Sequence, residues 1–254
     1  MSENYILDLI KQDSRIDGRK LKEFRKPVKI ETGISKNAEG SAKATIGETE
    51  VIAGIKLSLG EPYPDNPDEG TIMVTSELLP MASEEFESGP PGKQAIELAR
   101  IIDRGIRESK ALDFKKLCIK KGELIWLVFI DIYPINDAGN LIDASALATV
   151  AALKEVKFPK LEKNKIKYGE LTKDKLPLTK IPITCTLVKI GDKILVDPNS
   201  EEEQVIDARL SVAVCGNKIN AMQKGGIEGL SFKEIDEMMD IAFEKEKELR
   251  KAIQ

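Results

Sequence analysis

Seven consecutive apolar residues, Leu124 to Ile130, lie between Glu123 and Asp131. A run of this kind has no alternating polar face. It predicts a strand from Glu123 to Ile132 that is buried on both sides. The segment Asp143 to Lys154, small and apolar along its length, reads as a helix suited to close packing. A chain of 254 residues is long enough to build a sizeable core around such elements.

Before that strand, Ser2 suits the N-cap of a short helix that carries Ile6, Leu9 and Ile10 on one face. A charged segment, Ser14 to Arg25, turns at Asp17-Gly18. Strand-like runs follow at Val28 to Ile34, Ala42 to Ile46 and Val51 to Leu59, the last two joined at Gly47-Glu48 in a predicted hairpin. A loop with Pro62, Pro64 and Pro67 leads to a fourth strand, Thr71 to Leu79. A long helix is predicted from Pro90-Pro91 through Gln94 to about Ala111, since proline suits a first helical turn.

The Lys- and Pro-rich stretch from Lys157 to Lys180 marks a boundary between two halves, assigned as residues 1–165 and 166–254. The second half repeats the order of strands then helix. Pro182 to Lys189 pairs with Lys193 to Val196 around Gly191-Asp192, and Val205 to Val214 pairs with Lys218 to Gln223 around Gly216-Asn217. Ser231, with Glu234 three residues on, forms a capping box for a last helix. The predicted fold is α+β, two related sheet-and-helix halves.

Composition narrows the chemistry. The chain has no histidine, which excludes His-dependent triads, His general bases and His-ligated zinc. Cys118, Cys185 and Cys215 are far apart and read as small apolar residues in a reducing cytosol. No run approaches the roughly 20 apolar residues of a membrane span, and Asp8 interrupts the short apolar start, so no signal peptide and no membrane association are expected. The expected location is the cytoplasm. The net charge of −4 requires that any nucleic-acid contact come from a local basic patch.

Four segments carry a resemblance to a known family. They are Arg15-Ile16-Asp17-Gly18-Arg19; Gly40 to Ala42 with Gly47, Thr49 and Val51 to Leu59; the helix from Gln94 to Lys110; and Ile190 to Pro198, followed by an acidic run. In this order and spacing they resemble the RNase PH superfamily over nearly the whole chain, and within it the non-catalytic subunit of an archaeal exosome. The resemblance implies an RNase PH-like fold. It also implies a heterodimer with a catalytic RNase PH-like subunit, three such pairs closed into a six-membered ring, RNA-binding cap subunits, and single-stranded RNA as the ligand. No cofactor and no metal is expected.

Active relatives attack RNA with inorganic phosphate, which calls for backbone N–H groups and an arginine around a dianion. They keep that arginine in a Gly-Thr/Ser-Arg turn. The matching place here reads Ala138-Gly139-Asn140-Leu141, and their catalytic aspartate matches Arg209, or Asp207 if the placement slips by two residues. The resemblance therefore implies a subunit without catalytic residues. The rival readings are an active phosphate-dependent exoribonuclease that uses Asp207, and a scaffold that never touches RNA.

Arg100, Arg104 and Arg107 recur at helical spacing, away from the stripe of Ala95, Ala99, Ile102 and Ile106. By composition they are a solvated face with the pairs Asp103–Arg107 and Arg104–Glu108. By resemblance they hold RNA at the interface with the catalytic partner. Arg15, Asp17 and Arg19 either line an interface or frame a turn. Glu201 to Glu203 either hold a metal or, as three acids in a loop more often do, form solvated surface. Trp126 is assigned to the core.

Overall fold

A computed structural model describes residues 3–253; the Ser2 cap lies outside the described residues. The first helix, α1, spans Glu3–Lys11 with Ile6 and Ile10 buried. The apolar run is the centre of the first sheet. It forms β6, Leu124–Asn136, four residues longer than predicted at its C-terminal end. Its neighbours are β3 (Thr49–Gly60), antiparallel, and β4 (Thr71–Ser76), parallel, with β5 (Cys118–Lys120) also pairing to it. Outside β3 lie β2 (Gly40–Ile46) and β1 (Val28–Thr32), in the order β1-β2-β3-β6-β4.

Two helices cover this sheet. Helix α2, Lys93–Glu108, begins after Gly92 rather than at the prolines and packs on β4. Helix α3, Leu141–Glu155, is buried along almost its whole length because small side chains let it sit against β2 and β3 on one side and the second sheet on the other.

The stretch read as a boundary is structured. It forms a separate two-stranded ribbon, β7 (Lys157–Glu162) with β8 (Lys165–Lys175). Its lysines and prolines resemble linker composition, yet Phe158 packs on Trp126 with ring centroids 5.3 Å apart and roots the ribbon in the core. The second sheet runs β10 (Lys193–Val196), β9 (Ile183–Ile190), β11 (Ala208–Cys215) and β12 (Lys218–Gly226). Ser200–Glu203, read as a loop, is a one-turn helix, α4, and Phe232–Ile253 is α5, capped by Ser231 and Glu234 through Glu234 N–H to Ser231 Oγ at 3.3 Å.

One core joins the two sheets: Ile130, Ala148, Leu187, Val212 and Met238 belong to the same buried cluster. A second cluster sets Ile6 and Ile10 against Val188, Ile190 and Leu195. Trp126 is buried as expected, and so is Cys185, whereas Cys118 and Cys215 are only half-buried at strand ends.

The halves are also tied by charge. The Asp197 carboxylate accepts hydrogen bonds from Arg25 N (2.7 Å), Arg25 Nη2 (2.8 Å), Arg19 Nη1 (3.1 Å) and Asn140 Nδ2 (2.8 Å). Arg15, fully buried, forks onto the Glu202 carboxylate and donates to the carbonyls of Val196 (2.9 Å) and Asp197 (2.8 Å). Arg15 and Arg19 thus do more than frame a turn: they fasten the N-terminal segment to the second sheet.

Removing one member of a buried network strands the others. Asp197→Ala is expected to lower unfolding free energy by about 3–5 kcal/mol, read as a fall in denaturant midpoint with an unchanged slope. A variant within about 0.5 kcal/mol of wild type would show that the network contributes no net stability.

Candidate functional site

The turn before α3 is built for a tight approach. Gly139 has φ +95°, and a Cβ there would meet Pro198 O and the Asn199 carbonyl carbon at 2.6 Å. Asn140 follows at φ 56°, a left-handed conformation that asparagine tolerates. Thr49 Oγ1 donates to Gly139 O at 2.6 Å, and Arg25 Nη2 donates to the same carbonyl at 2.8 Å. The turn therefore aims the Asn140 N–H, at the N-cap of α3, at one fixed point.

A side chain of the protein occupies that point. The Asn140 N–H donates to Glu203 Oε1 at 2.8 Å. Part of Glu203 meets solvent, yet loss of water around its carboxyl pushes its pKa up to about 7. The reading of Glu201 to Glu203 as solvated surface is corrected at Glu202, which is buried under Arg15; Glu201 and Glu203 are exposed, and Glu203 also accepts the Asn140 N–H. The placement of Glu202 and Glu203 depends on Arg15 and Asn140, both far away in sequence.

Leu141 and Arg209 come together. Both line a cleft of about 130 Å³ with Glu97, Leu98, Asp137 and Glu203. Arg209 crosses β12 at Gly225, where a Cβ would lie 2.7 Å from Arg209 Nη2. It reaches the Glu97 carboxylate at 2.6 Å. Asp207 lies elsewhere: its Oδ2 accepts the Gly191 N–H at 2.6 Å and fixes the β9–β10 turn.

The three arginines of α2 differ. Arg107 donates to both Asp103 oxygens (3.1 and 2.8 Å), touches Ile72 O, and lies over the Phe114 ring at 5.8 Å. Arg104 makes a loose contact with Glu108 at 3.4 Å. Arg100 is exposed and has no partner among the described residues, because the acids three residues away on either side, Glu97 and Asp103, are held by Arg209 and Arg107. The stripe of Ala95, Ala99, Ile102 and Ile106 is buried as predicted. Sequence reasoning marked Glu203 only as part of an acidic run, and it gave Glu97 no role at the cleft, because neither partner is near in sequence.

Beneath the turn, Asp143 is fully buried. Its Oδ2 accepts Asn140 Nδ2 and Thr186 N, both at 3.0 Å, while Oδ1 has no partner. Burial is the main cause that raises its pKa to about 7.

Comparison with known proteins agrees with this geometry. Residues 23–159 match the RNase PH 3′ exoribonuclease family, domain 1, and residues 180–245 match its domain 2. The chain is 46% identical to the exosome complex component Rrp42 of Methanosarcina acetivorans, covering 98% of this chain and 92% of that protein. It is 48% identical to the same component of Thermococcus gammatolerans, again over 98% and 92%. It superposes with TM-score 0.92 and 44% identity on a chain of the Archaeoglobus fulgidus exosome with RNA bound to the active site, covering 99% of this chain and 97% of that one. An archaeal exosome core chain gives TM-score 0.87 at 42% identity, with 99% and 95% covered.

The Asp143 site makes a pH prediction. A carboxyl whose folded pKa is raised binds more protons folded than unfolded between about pH 4 and 7, so its contribution to stability falls as pH rises through that window. Asp143→Asn keeps an acceptor and removes the titration. The variant should gain on wild type as pH rises from about 4 to about 7, by at most about 1.4 kcal/mol per pH unit. Urea unfolding of both proteins at several pH values measures this, and a pH-independent gap contradicts it.

Proposed function

This chain belongs to the RNase PH family of 3′ exoribonucleases, and we propose that it is a ring subunit of an archaeal exosome that holds RNA but carries out no phosphorolysis itself. Membership of an RNA-degrading exosome is supported by relatives named as exosome components over nearly their full length. The absence of catalysis rests on one observation. The α3 N-terminus, where backbone N–H groups would receive an attacking phosphate, is filled by the carboxylate of Glu203, with Leu141 beside it in place of an arginine. A phosphate dianion entering there would have to displace Glu203 from the Asn140 N–H, and the guanidinium in the same cleft, Arg209, is already held by Glu97.

The reaction then belongs to a catalytic RNase PH-like partner in the cytoplasm. The partner forms a heterodimer with this chain, and three pairs close by rotation into a six-membered ring through heterologous contacts. Cap subunits that bind RNA complete the assembly. No helix of the described residues is long and apolar enough to cross a membrane. This subunit's own contribution is Arg100 and Arg104. Their side chains stand exposed on α2, about one and two turns from Glu97, whose pair with Arg209 borders the cleft. Fixed planar charges of this kind suit phosphate oxygens and carry no sequence preference. Arg107, already bound on both its edges, contributes less.

Two measurements check the reading. The isolated chain, incubated with RNA and phosphate, should leave RNA length unchanged. Phosphate-dependent shortening that disappears in Asp207→Ala would overturn the assignment. In the assembled ring, Arg100→Ala with Arg104→Ala should weaken binding of all RNA sequences alike. The dependence of affinity on salt should flatten by roughly 0.7 in slope for each RNA phosphate no longer neutralised. A ring that assembles normally and binds RNA with wild-type affinity and slope makes the stripe a solvated helix face.

A further inference from the structure

The chain is acidic overall, but its positive charge is unevenly placed. Residues 157–175, the β7–β8 ribbon, hold seven lysines and three acidic residues in a chain of net charge −4. All seven lysines are exposed. Glu162 and Glu170 pair with Lys160 and Lys167. Lys157, Lys163, Lys165, Lys173 and Lys175 have no acidic partner among the described residues. The tip is a two-residue turn with Lys163 and Asn164 both left-handed, φ 48° and 60°, which puts Lys163 at the apex of the hairpin.

A ribbon free to flop would carry little information, but this one is rooted at its base. Phe158 packs on Trp126, Val156 and Leu176 are buried, and Leu176 N–H donates to Val156 O at 3.1 Å. The chain leaving β8 is bonded to the end of α2: Thr179 N–H donates to Ala111 O at 2.7 Å, and Lys180 Nζ to Ser109 O at 3.0 Å. Between them lies a groove of about 820 Å³ whose lining includes Arg107, Lys110, Lys115 and Lys180 against two acids, Glu69 and Asp113. The groove thus joins the Arg107 end of α2 to Thr179 and Lys180, in the segment that leads out of the lysine ribbon.

From this continuity we propose that the β7–β8 ribbon is a second RNA-phosphate contact, which holds the part of the substrate that extends beyond α2. The inference rests on the RNA-holding role given above. Unpaired lysines on an exposed ribbon bind a polyanion by releasing its counterions, with no base contact required. A ligand that is itself a long polyanion can bridge two basic patches on one chain, whereas a small anion can occupy only one.

The test uses the ring assembled with its catalytic partner. Lys163, Lys165, Lys173 and Lys175 are replaced together by Gln, and a second ring carries Arg at all four. Binding is measured over a range of salt for an RNA of about 5 nucleotides and one of about 30, lengths that bracket a single contact and an extended track. The Gln ring should bind the long RNA about tenfold more weakly, with a slope lower by roughly 0.7 for each phosphate released from a lysine, and the short RNA as wild type does. The Arg ring should bind both like wild type. Unchanged affinity and slope for the long RNA in the Gln ring overturns the proposal. So does failure of that ring to assemble, since the ribbon would then be a contact between subunits. The Arg100→Ala, Arg104→Ala ring separates the two levels. If it weakens both RNA lengths while the Gln ring weakens neither, the ribbon proposal fails and the RNA-holding role stands. If neither ring weakens either RNA, the RNA-holding role itself is wrong.

Discussion

The carboxylate of Asp197 sits where four parts of the chain meet, and the position of most functional groups follows from what it holds. It receives Arg25 and Arg19 from the N-terminal segment and Asn140 from the turn before α3. Arg25 passes the constraint on, donating to the carbonyls of Ala138 and Gly139. Thr49, just after the β2–β3 turn, closes the same turn from the other side. Three of the four segments that carry the family resemblance converge here, and the reason is physical. A buried carboxylate must be matched by donors on every side, so the residues that supply them cannot drift independently.

That constraint also explains why the cleft is closed by charge. The turn held by Arg25 fixes the α3 terminus, and a helix terminus offering free N–H groups attracts an anion. In this chain the anion is intramolecular. Glu203 comes from the short helix after Asp197-Pro198, whose neighbour Glu202 is clamped by Arg15. The same clamp that ties the halves thus holds the short helix from which Glu203 reaches the Asn140 N–H. Across the cleft, Arg209 directs its charge to Glu97. Both contacts are internal to the fold, while Arg100 on the outer face of α2 has no partner among the described residues.

Arg100 and the lysine ribbon share a logic. In a chain with more acids than bases, a cation without a local acid is available to an outside polyanion, whereas a paired one such as Arg107 has part of its charge already met. Pairing within the fold, rather than the count of basic residues, therefore decides which surfaces can meet RNA.

Periodicity made the main elements legible in the sequence. The unbroken apolar run read correctly as a strand but not as one buried on both faces, since Val128, Ile130 and Ile132 are buried while Leu127, Phe129 and Asp131 on the other face are half-buried. The small apolar segment after it read as a close-packed helix, and the α2 stripe of Ala95, Ala99, Ile102 and Ile106 as its inward face. Leu141 and Arg209 stood out only through the family resemblance, as departures from the residues that active relatives keep there. That the stretch between the halves forms a ribbon was not legible, since lysine and proline look alike in a linker and in an exposed hairpin until Phe158 is seen against Trp126. The partners of charges were beyond the sequence altogether. Arg15 finds Glu202 at a separation of 187 residues, and Arg209 takes Glu97 across 112, which leaves Arg100 without the acid that helix spacing offered it. Helix and strand periods are local properties of the backbone and can be read along the chain. Which carboxylate reaches which guanidinium depends on how the two sheets and their helices pack, and only the tertiary structure decides it.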